Sequence, residues 1–225
     1  MVKVGINGFG RIGRSFFKIA QRYKDEIEIV GINDVGSPKQ MAHLLKYDSI
    51  YGPMKKKVTY DASNIIVDGK AYPLFQQQDV KNVDWNALGA QIIIESSGKY
   101  AGRRTPSSQD RLPLGGSVKK VIITAPSTID DITIVLGVNE DKYNPKKHRV
   151  ISCASMTTCG LAAILKLMDD TYGVKRGMTT AIHSYTTDQK ILDVSHKDFR
   201  RARAAGASII PTTTGAAAAI TKELP

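Results

Sequence analysis

The sequence predicts an α/β protein built on a mainly parallel sheet, with a second, open α+β part after it. Three observations carry that expectation. Val2-Lys-Val-Gly-Ile6 alternates as a strand, turns through Asn7-Gly-Phe-Gly-Arg-Ile-Gly13, enters a helical pattern over 14–23 and meets a second strand over 26–33. Short runs with apolar centres follow at 91–95, 120–124 and 132–138, the pattern of strands covered on both faces. Residues 151–160 then lead into 161–172, where Leu161, Ile164, Leu165 and Met168 recur at helical spacing.

Taken in order, the first unit is the most informative. A glycine turn joins a strand to a helix, and Asp34 stands at the tip of the next strand, roughly 20 residues beyond Gly13. Gly8, Gly10 and Gly13 allow a tight turn and a close approach of a pyrophosphate to the backbone. The helix start at Arg11 and Ile12 supplies N–H groups and positive potential. Asp34 is placed to accept from ribose hydroxyls. In this strand–turn–helix–strand–acid order, the glycine pattern reads as a dinucleotide site rather than a packing turn.

Strands are expected at 57–60, 65–67 and 71–75, with Asp68-Gly69 as a hairpin turn, forming an antiparallel insert. Ser97 and Thr124 follow two of the buried-type strands, where open α/β sheets bind ligands. Each is a candidate to line the crevice, and a turn residue with local hydrogen bonds is the alternative. The stretch 103–114, where a crossover helix belongs, instead holds Pro106, Pro113 and Ser107-Ser108, which shorten or break a helix.

Ser155 can cap the helix that follows, so positions 155–157 face a helix N-terminus suited to a thiolate or a phosphate. Met156, at its centre, is neither. Residues 179–185 read as a strand and 189–207 as a long polar, basic region. Thr214 and the Gly215 N–H then open an alanine-rich helix at 216–220 and form a second anion site. A strand, a basic loop and a helix start leave a domain open.

Bulk properties narrow the function. Of 225 residues, 42% are hydrophobic and 24% charged, an ordinary globular balance, and the formal net charge is +11. The cations are scattered and accompany no nucleic-acid motif, so they read as solvated surface and anionic-ligand sites. The two cysteines, Cys153 and Cys159, have no zinc spacing and suit a reducing, cytoplasmic setting. No metal site is expected. No apolar run approaches bilayer length, and no leader pattern precedes the first strand. A plastid location would require a removed transit peptide.

Seven segments together closely resemble phosphorylating glyceraldehyde-3-phosphate dehydrogenases. They are Asn7-Gly-Phe-Gly-Arg-Ile-Gly13, Asn33-Asp34, His43-Leu-Leu-Lys-Tyr-Asp-Ser49, Glu95-Ser-Ser-Gly98, Thr124-Ala-Pro126, His183-Ser-Tyr-Thr186 and Ile209-Ile-Pro-Thr-Thr-Thr-Gly-Ala-Ala217. Leu192-Asp-Val-Ser-His-Lys-Asp-Phe-Arg-Arg-Ala-Arg203 is most similar to the photosynthetic branch of that family.

The resemblance implies a Rossmann-type NAD(P)-binding domain over 1–151 and the beginning of a catalytic domain over 152–225. It implies a homotetramer, with the basic 189–207 segment reaching towards a neighbouring cofactor site. It implies thioester chemistry on an aldehyde phosphate, with NAD and inorganic phosphate, and His183 as base. Ser155, Thr157, Thr186, Arg201, Thr214 and the Gly215 N–H would hold phosphate groups. Arg11, Ile12, Asp34, Ser97 and Thr124 would contact the dinucleotide. Gln78 stands where the family usually has an arginine beside the adenine.

The resemblance breaks at the nucleophile. The family pattern Ser-Asn-Ala-Ser-Cys-Thr-Thr-Asn-Cys reads here Ser152-Cys-Ala-Ser-Met-Thr-Thr-Cys-Gly160. A thioether has no proton to lose and forms no thioester. A catalytically inactive NAD-binding paralogue or fragment, with an assembly or regulatory role, is therefore the alternative expectation. Val194-Ser195 replaces a Leu-Pro pair typical of strictly NAD-using members, which favours NADP. Asp34 opposes a 2′-phosphate, so NAD is the expected cofactor and NADP the alternative.

Overall fold

The structure is a computed structural model that describes residues 1–100 and 112–223. Nine strands form one sheet in the order β3-β4-β5-β2-β1-β6-β7-β9-β8. They are β1 (Val2–Asn7), β2 (Ile27–Asn33), β3 (Val58–Tyr60), β4 (Asn64–Val67), β5 (Lys70–Phe75), β6 (Ile92–Glu95), β7 (Lys120–Ile123), β8 (Ile132–Thr133) and β9 (Val150–Ser152). From β5 to β8 every pairing is parallel, and only the β3-β4-β5 corner is antiparallel. The helices are α1 (Arg11–Ala20), α2 (Pro38–Lys46), α3 (Met156–Tyr172) and α4 (Ala216–Glu223). This is the mixed α/β architecture the sequence predicts. The backbone forms two compact units, Met1–Ser155 and Met156–Pro225.

The parallel strands are apolar almost throughout because helices and loops cover both faces of the sheet. One core cluster gathers Ile6, Phe9, Phe17, Ile32, Leu45, Ile65 and Tyr72 beneath α1 and α2. Phe17 packs edge-on against both Phe9 and Tyr72, with ring centroids 5.7 and 4.9 Å away. The second cluster gathers Trp85, Ile93, Val121, Ile123 and Val150. Gly5 on β1 pairs with Gly31 on β2 just after a register shift. That bare patch of sheet receives the Trp85 indole: a Cβ on Gly5 would lie 2.4 Å from the ring. The indole Nε1–H is satisfied by the Val80 carbonyl at 3.0 Å.

Several expectations are corrected. The first helix spans Arg11–Ala20, not 14–23, because Gly13 fits inside its first turn; a Cβ there would lie 2.1 Å from the Gly8 carbonyl oxygen. The strand expected over 132–138 stops at Thr133. Asn139 Oδ1 accepts from the Val135 N–H at 2.8 Å, and its Nδ2 donates to the Thr133 carbonyl at 3.1 Å, closing a turn where the ladder would continue. α2 had no sequence expectation, yet it carries a complete Ser37–Gln40 capping box with Pro38 at its first position. The proline-broken stretch expected over 103–114 falls mostly on 101–111, outside the described residues.

In the second unit, α3 and α4 pack on each other, and their buried residues lie one turn apart, Thr158 with Ala162 and Ala216 with Ile220. Two of the four residues expected to form a buried apolar face on α3, Ile164 and Met168, are instead exposed. The strand expected over 179–185 is not formed. Every residue in it is exposed, and no described strand runs alongside to accept its hydrogen bonds.

Filling the bare patch under Trp85 should disturb the core. Gly5→Ala is expected to lower the unfolding free energy by about 1–3 kcal/mol, read from urea titrations followed by tryptophan fluorescence.

Candidate active site

A crevice opens at the C-terminal ends of β5, β2, β1 and β6. It is lined by Asn7, Gly8, Gly10, Asn33, Asp34, Gln77, Gln78, Ser96, Ser97 and Lys99, among others. Gly8 has φ +89°, and a Cβ on it would lie 2.4 Å from the Ser97 nitrogen. The turn therefore lies hard against the loop after β6 and tolerates no side chain. Gly10, by contrast, has open space where a Cβ would be. It is also the N-cap of α1 and offers no side-chain cap, so the first-turn N–H groups at Arg11 and Ile12 face outward. Bare backbone, free N–H groups and a positive dipole end are the donor set a pyrophosphate needs.

Asp34 completes the turn. Its Oδ2 accepts from the Phe9 N–H at 2.7 Å and its Oδ1 from the Gly36 N–H at 2.9 Å. The carboxylate thus clamps the glycine turn to the tip of β2 while keeping acceptor capacity for ribose hydroxyls. Arg14 Nη1 donates to the Phe9 carbonyl at 2.8 Å and secures the same turn from the helix side.

Beneath the crevice runs a buried polar relay. The Gln77 N–H donates to Asn33 Oδ1 at 2.9 Å, and Asn33 Nδ2 donates to the Gln77 carbonyl at 3.0 Å and to Asn7 Oδ1 at 2.7 Å. Asn7 Nδ2 then donates to Glu95 Oε2. Glu95 Oε1 accepts from the Ser97 N–H at 2.8 Å and from its hydroxyl. Because Gln77 contributes backbone groups of fixed polarity, the orientation of both asparagine amides follows. Asn7, Asn33 and Glu95 are 4, 3 and 2% exposed. Burial pushes the Glu95 carboxyl above its ordinary range, and the bonds from Ser97 and Asn7 offset only part of that.

The predicted cofactor residues divide. Gly8, Gly10, Asp34, Gln78 and Ser97 line the crevice. Thr124 instead spends its hydroxyl locally, donating to the Glu95 carbonyl at 3.2 Å. The Arg11 side chain turns to Asp48, at 2.9 and 3.1 Å, leaving its backbone N–H at the helix start. Asp48 also takes Lys18 at 3.0 Å and the N–H groups of Ile50 and Tyr51. Burial alone would raise the Asp48 carboxyl, but the bonds from Arg11, Tyr51, Ile50 and Lys18 outweigh it and hold it far below the ordinary range.

In the second unit, Met156 is the first residue of α3 and is 66% exposed, with Thr157 half-buried beside it. Ser155 is the last residue of the first unit. His183 is exposed on irregular backbone, and its Nδ1 lies 2.5 Å from the neighbouring Ser184 carbonyl. Thr186 heads a turn in which its N–H donates to Gln189 Oε1 at 3.0 Å. Arg201 donates from Nε to Thr212 Oγ1 at 2.9 Å and pairs with Asp188. Thr214 Oγ1 accepts from the Ala216 N–H at 3.2 Å at the start of α4, beside Gly215. Thr157 lies in the first turn of α3, which begins five residues before the expected 161, and Thr214 and Gly215 precede α4, while His183 lacks the strand expected over 179–185. Cys153 is exposed and Cys159 half-buried, and both are thiols. Among the described residues no cluster of His, Cys, Asp or Glu could hold a metal ion, and no helix is long and apolar enough to cross a membrane.

Sequence reasoning had no role for Asn7 and Asn33 beyond the motifs that contain them, none for Asp48, and none for Lys99. The available signal was a polar residue closing an apolar strand: Asn7, Asn33 and Glu95 are each the last residue of theirs.

Comparison with known proteins agrees with this geometry. Residues 2–103 match the family model described as glyceraldehyde 3-phosphate dehydrogenase, NAD binding domain, and residues 152–225 match the C-terminal domain of the same family. Glyceraldehyde-3-phosphate dehydrogenase 2 of Streptomyces avermitilis is 50% identical over 224 residues, covering 100% of this chain and 66% of its own. The enzyme of Priestia megaterium is also 50% identical over 224 residues, and that of Thermotoga maritima 48% over 221. The chain spans about 65% of the length of these curated relatives.

The two buried carboxylates predict opposite pH limbs. Glu95 has a raised folded-state pKa, so its contribution to stability is lost as pH rises above about 4.5. Asp48 has a depressed one, so its contribution is lost as pH falls below about 3.8. Urea titrations across pH should show the upper limb flattened in Glu95→Gln, which carries no charge at any pH, and the lower limb unchanged.

Proposed function

Because the chain belongs to the glyceraldehyde-3-phosphate dehydrogenase family, we propose that it serves the phosphorylating oxidation of an aldehyde phosphate. The balance is aldehyde, NAD⁺ and inorganic phosphate giving acyl phosphate, NADH and a proton. The observation that carries this reading is the crevice itself, with its bare glycine turn, open helix start and clamped Asp34. NAD supplies the hydride acceptor. Gly8, Gly10 and the N–H groups of Arg11, Ile12 and Gly13 hold its pyrophosphate, Asp34 its ribose, and Ser97 and Gln78 line the adenosine side. Thr124 supports this set through the Glu95 carbonyl.

On the substrate side, Ser155, Thr157, Thr186, Arg201, Thr214 and the Gly215 N–H receive the substrate phosphate and inorganic phosphate. Hydroxyls, backbone N–H groups and a guanidinium fork suit phosphate oxygens. His183 takes the proton from an attacking thiol and polarises the carbonyl. The thiol is what position 156 lacks. Met156 favours a second reading, in which the protein binds NAD without turnover and serves assembly or regulation.

The family context also supports a homotetramer, with 189–207 directed to a neighbouring cofactor site, and a cytoplasmic setting, with a plastid as the alternative for a photosynthetic member. NADP use would follow from Ser195, and Asp34 favours NAD.

Aldehyde- and phosphate-dependent NADH formation tests both readings. On the first reading the unaltered protein forms NADH; on the second it binds NAD and forms none, and Met156→Cys should then raise the rate by about a thousandfold or more. A Met156→Cys protein that binds NAD but stays silent would favour the non-catalytic reading. Equal turnover by the two would remove position 156 from the chemistry.

A further inference from the structure

The crevice has a charge arrangement that the glycine turn and Asp34 do not explain. Among its described lining residues, Asp34 is the one anion and Lys99 the one cation. Lys99 belongs to the loop after β6, yet its ammonium donates to the main-chain carbonyl of Gln78, just beyond the end of β5. In the sheet order, β1 and β2 lie between those strands. The loop after β6 and the loop after β5 therefore meet over the ends of β1 and β2, joined by this bond. Asp34 stands at the same end of the crevice, since it lines the crevice with Gln78 and its N–H is bonded to the Phe75 carbonyl at the end of β5.

This reach is built. Glu95 Oε1 holds the Ser97 N–H and hydroxyl, and the Ser97 hydroxyl oxygen accepts from the Lys99 N–H at 3.2 Å. Gly98 between them has φ +77°, the left-handed geometry that turns the loop back over the crevice. The buried carboxylate therefore fixes where the lysine starts, and the Gln78 carbonyl fixes where it ends. A single carbonyl is a weak partner for an ammonium with three donors. A ligand phosphate at the Asp34 end would be a better one.

We propose that Lys99 determines how well this crevice accepts a phosphate on the 2′-hydroxyl of the adenosine ribose, by offsetting the charge of Asp34. The proposal rests on the NAD reading, which places the adenosine ribose at Asp34. NAD, with hydroxyls there, bonds Asp34 and leaves Lys99 on Gln78. NADP, with about two extra negative charges, draws Lys99 off the carbonyl and onto the phosphate.

Equilibrium binding of NAD and NADP, by calorimetry on the full chain, tests this. Lys99→Met keeps the stem and removes the charge. It should weaken NADP binding by about tenfold or more and change NAD binding by less than about threefold, with Lys99→Arg keeping NADP affinity. In the unaltered protein, the ratio of NADP to NAD affinity should fall as salt rises from about 50 to 500 mM. Equal weakening of both cofactors in Lys99→Met would place Lys99 on the shared pyrophosphate and overturn the proposal, as would no change in either or a salt-independent ratio. Failure of the unaltered protein to bind either cofactor would overturn the NAD reading, and the Lys99 proposal with it.

Discussion

The bond from the Asn7 amide to the buried Glu95 carboxylate fixes the ends of the two central strands to each other, and the site is built outward from it. On one side the Asn7 carbonyl oxygen receives Asn33, which holds both backbone groups of Gln77. On the other, Glu95 organises Ser97 and, through it, the loop that carries Lys99. Four strand tips are thereby tied below the surface that a cofactor would touch. The relay is costly to bury, and burial visibly raises the Glu95 carboxyl. What it secures is position: the fixed polarity of the Gln77 backbone groups orients both asparagine amides, so the tips have one arrangement.

The glycine turn depends on that arrangement. It packs so closely on the Ser96-Ser97 backbone that Gly8 leaves no room for a Cβ, and the Gly8 carbonyl oxygen leaves none at Gly13. The Ser96 hydroxyl donates to the Gly8 carbonyl at 2.6 Å, and Asp34 closes the other flank. The first unit is therefore a preorganised anion site on a rigid sheet. The second unit has a different character. Ile164, Leu167, Met178, Ile182 and Ile209 are all more than half exposed, and His183 lies among such residues. Its phosphate candidates are held by local turns, as at Thr186 and Thr214, and by the ion pair of Arg201 with Asp188.

The first unit was largely legible because its signals are local. Glycine spacing, period-two strands and an acid at the next strand tip each reflect a backbone requirement that the residue itself satisfies. The polar relay was not legible, since nothing in Asn7 or Glu95 alone says that they are paired across neighbouring strands. The error over 132–138 has a similar source: Asn139 supplies a side-chain carbonyl that competes with the ladder, and apolar periodicity is blind to it. The strand expected over 179–185 has the right composition, but strand formation depends on a neighbour, and composition carries no information about one. Met156 is the opposite case, since its consequence is chemical and was readable from one letter.

The central claim is that the buried relay holds the strand tips in the geometry that binds NAD. The most direct test is calorimetric NAD binding to Asn7→Ala, which cuts the relay at its middle and leaves Gly8, Gly10 and Gly13 in place. With the fold verified by circular dichroism, the account predicts NAD affinity at least about tenfold weaker than that of the unaltered protein, the scale of losing a buried charged hydrogen bond. An Asn7→Ala protein that remains folded and binds NAD as tightly as before would contradict it.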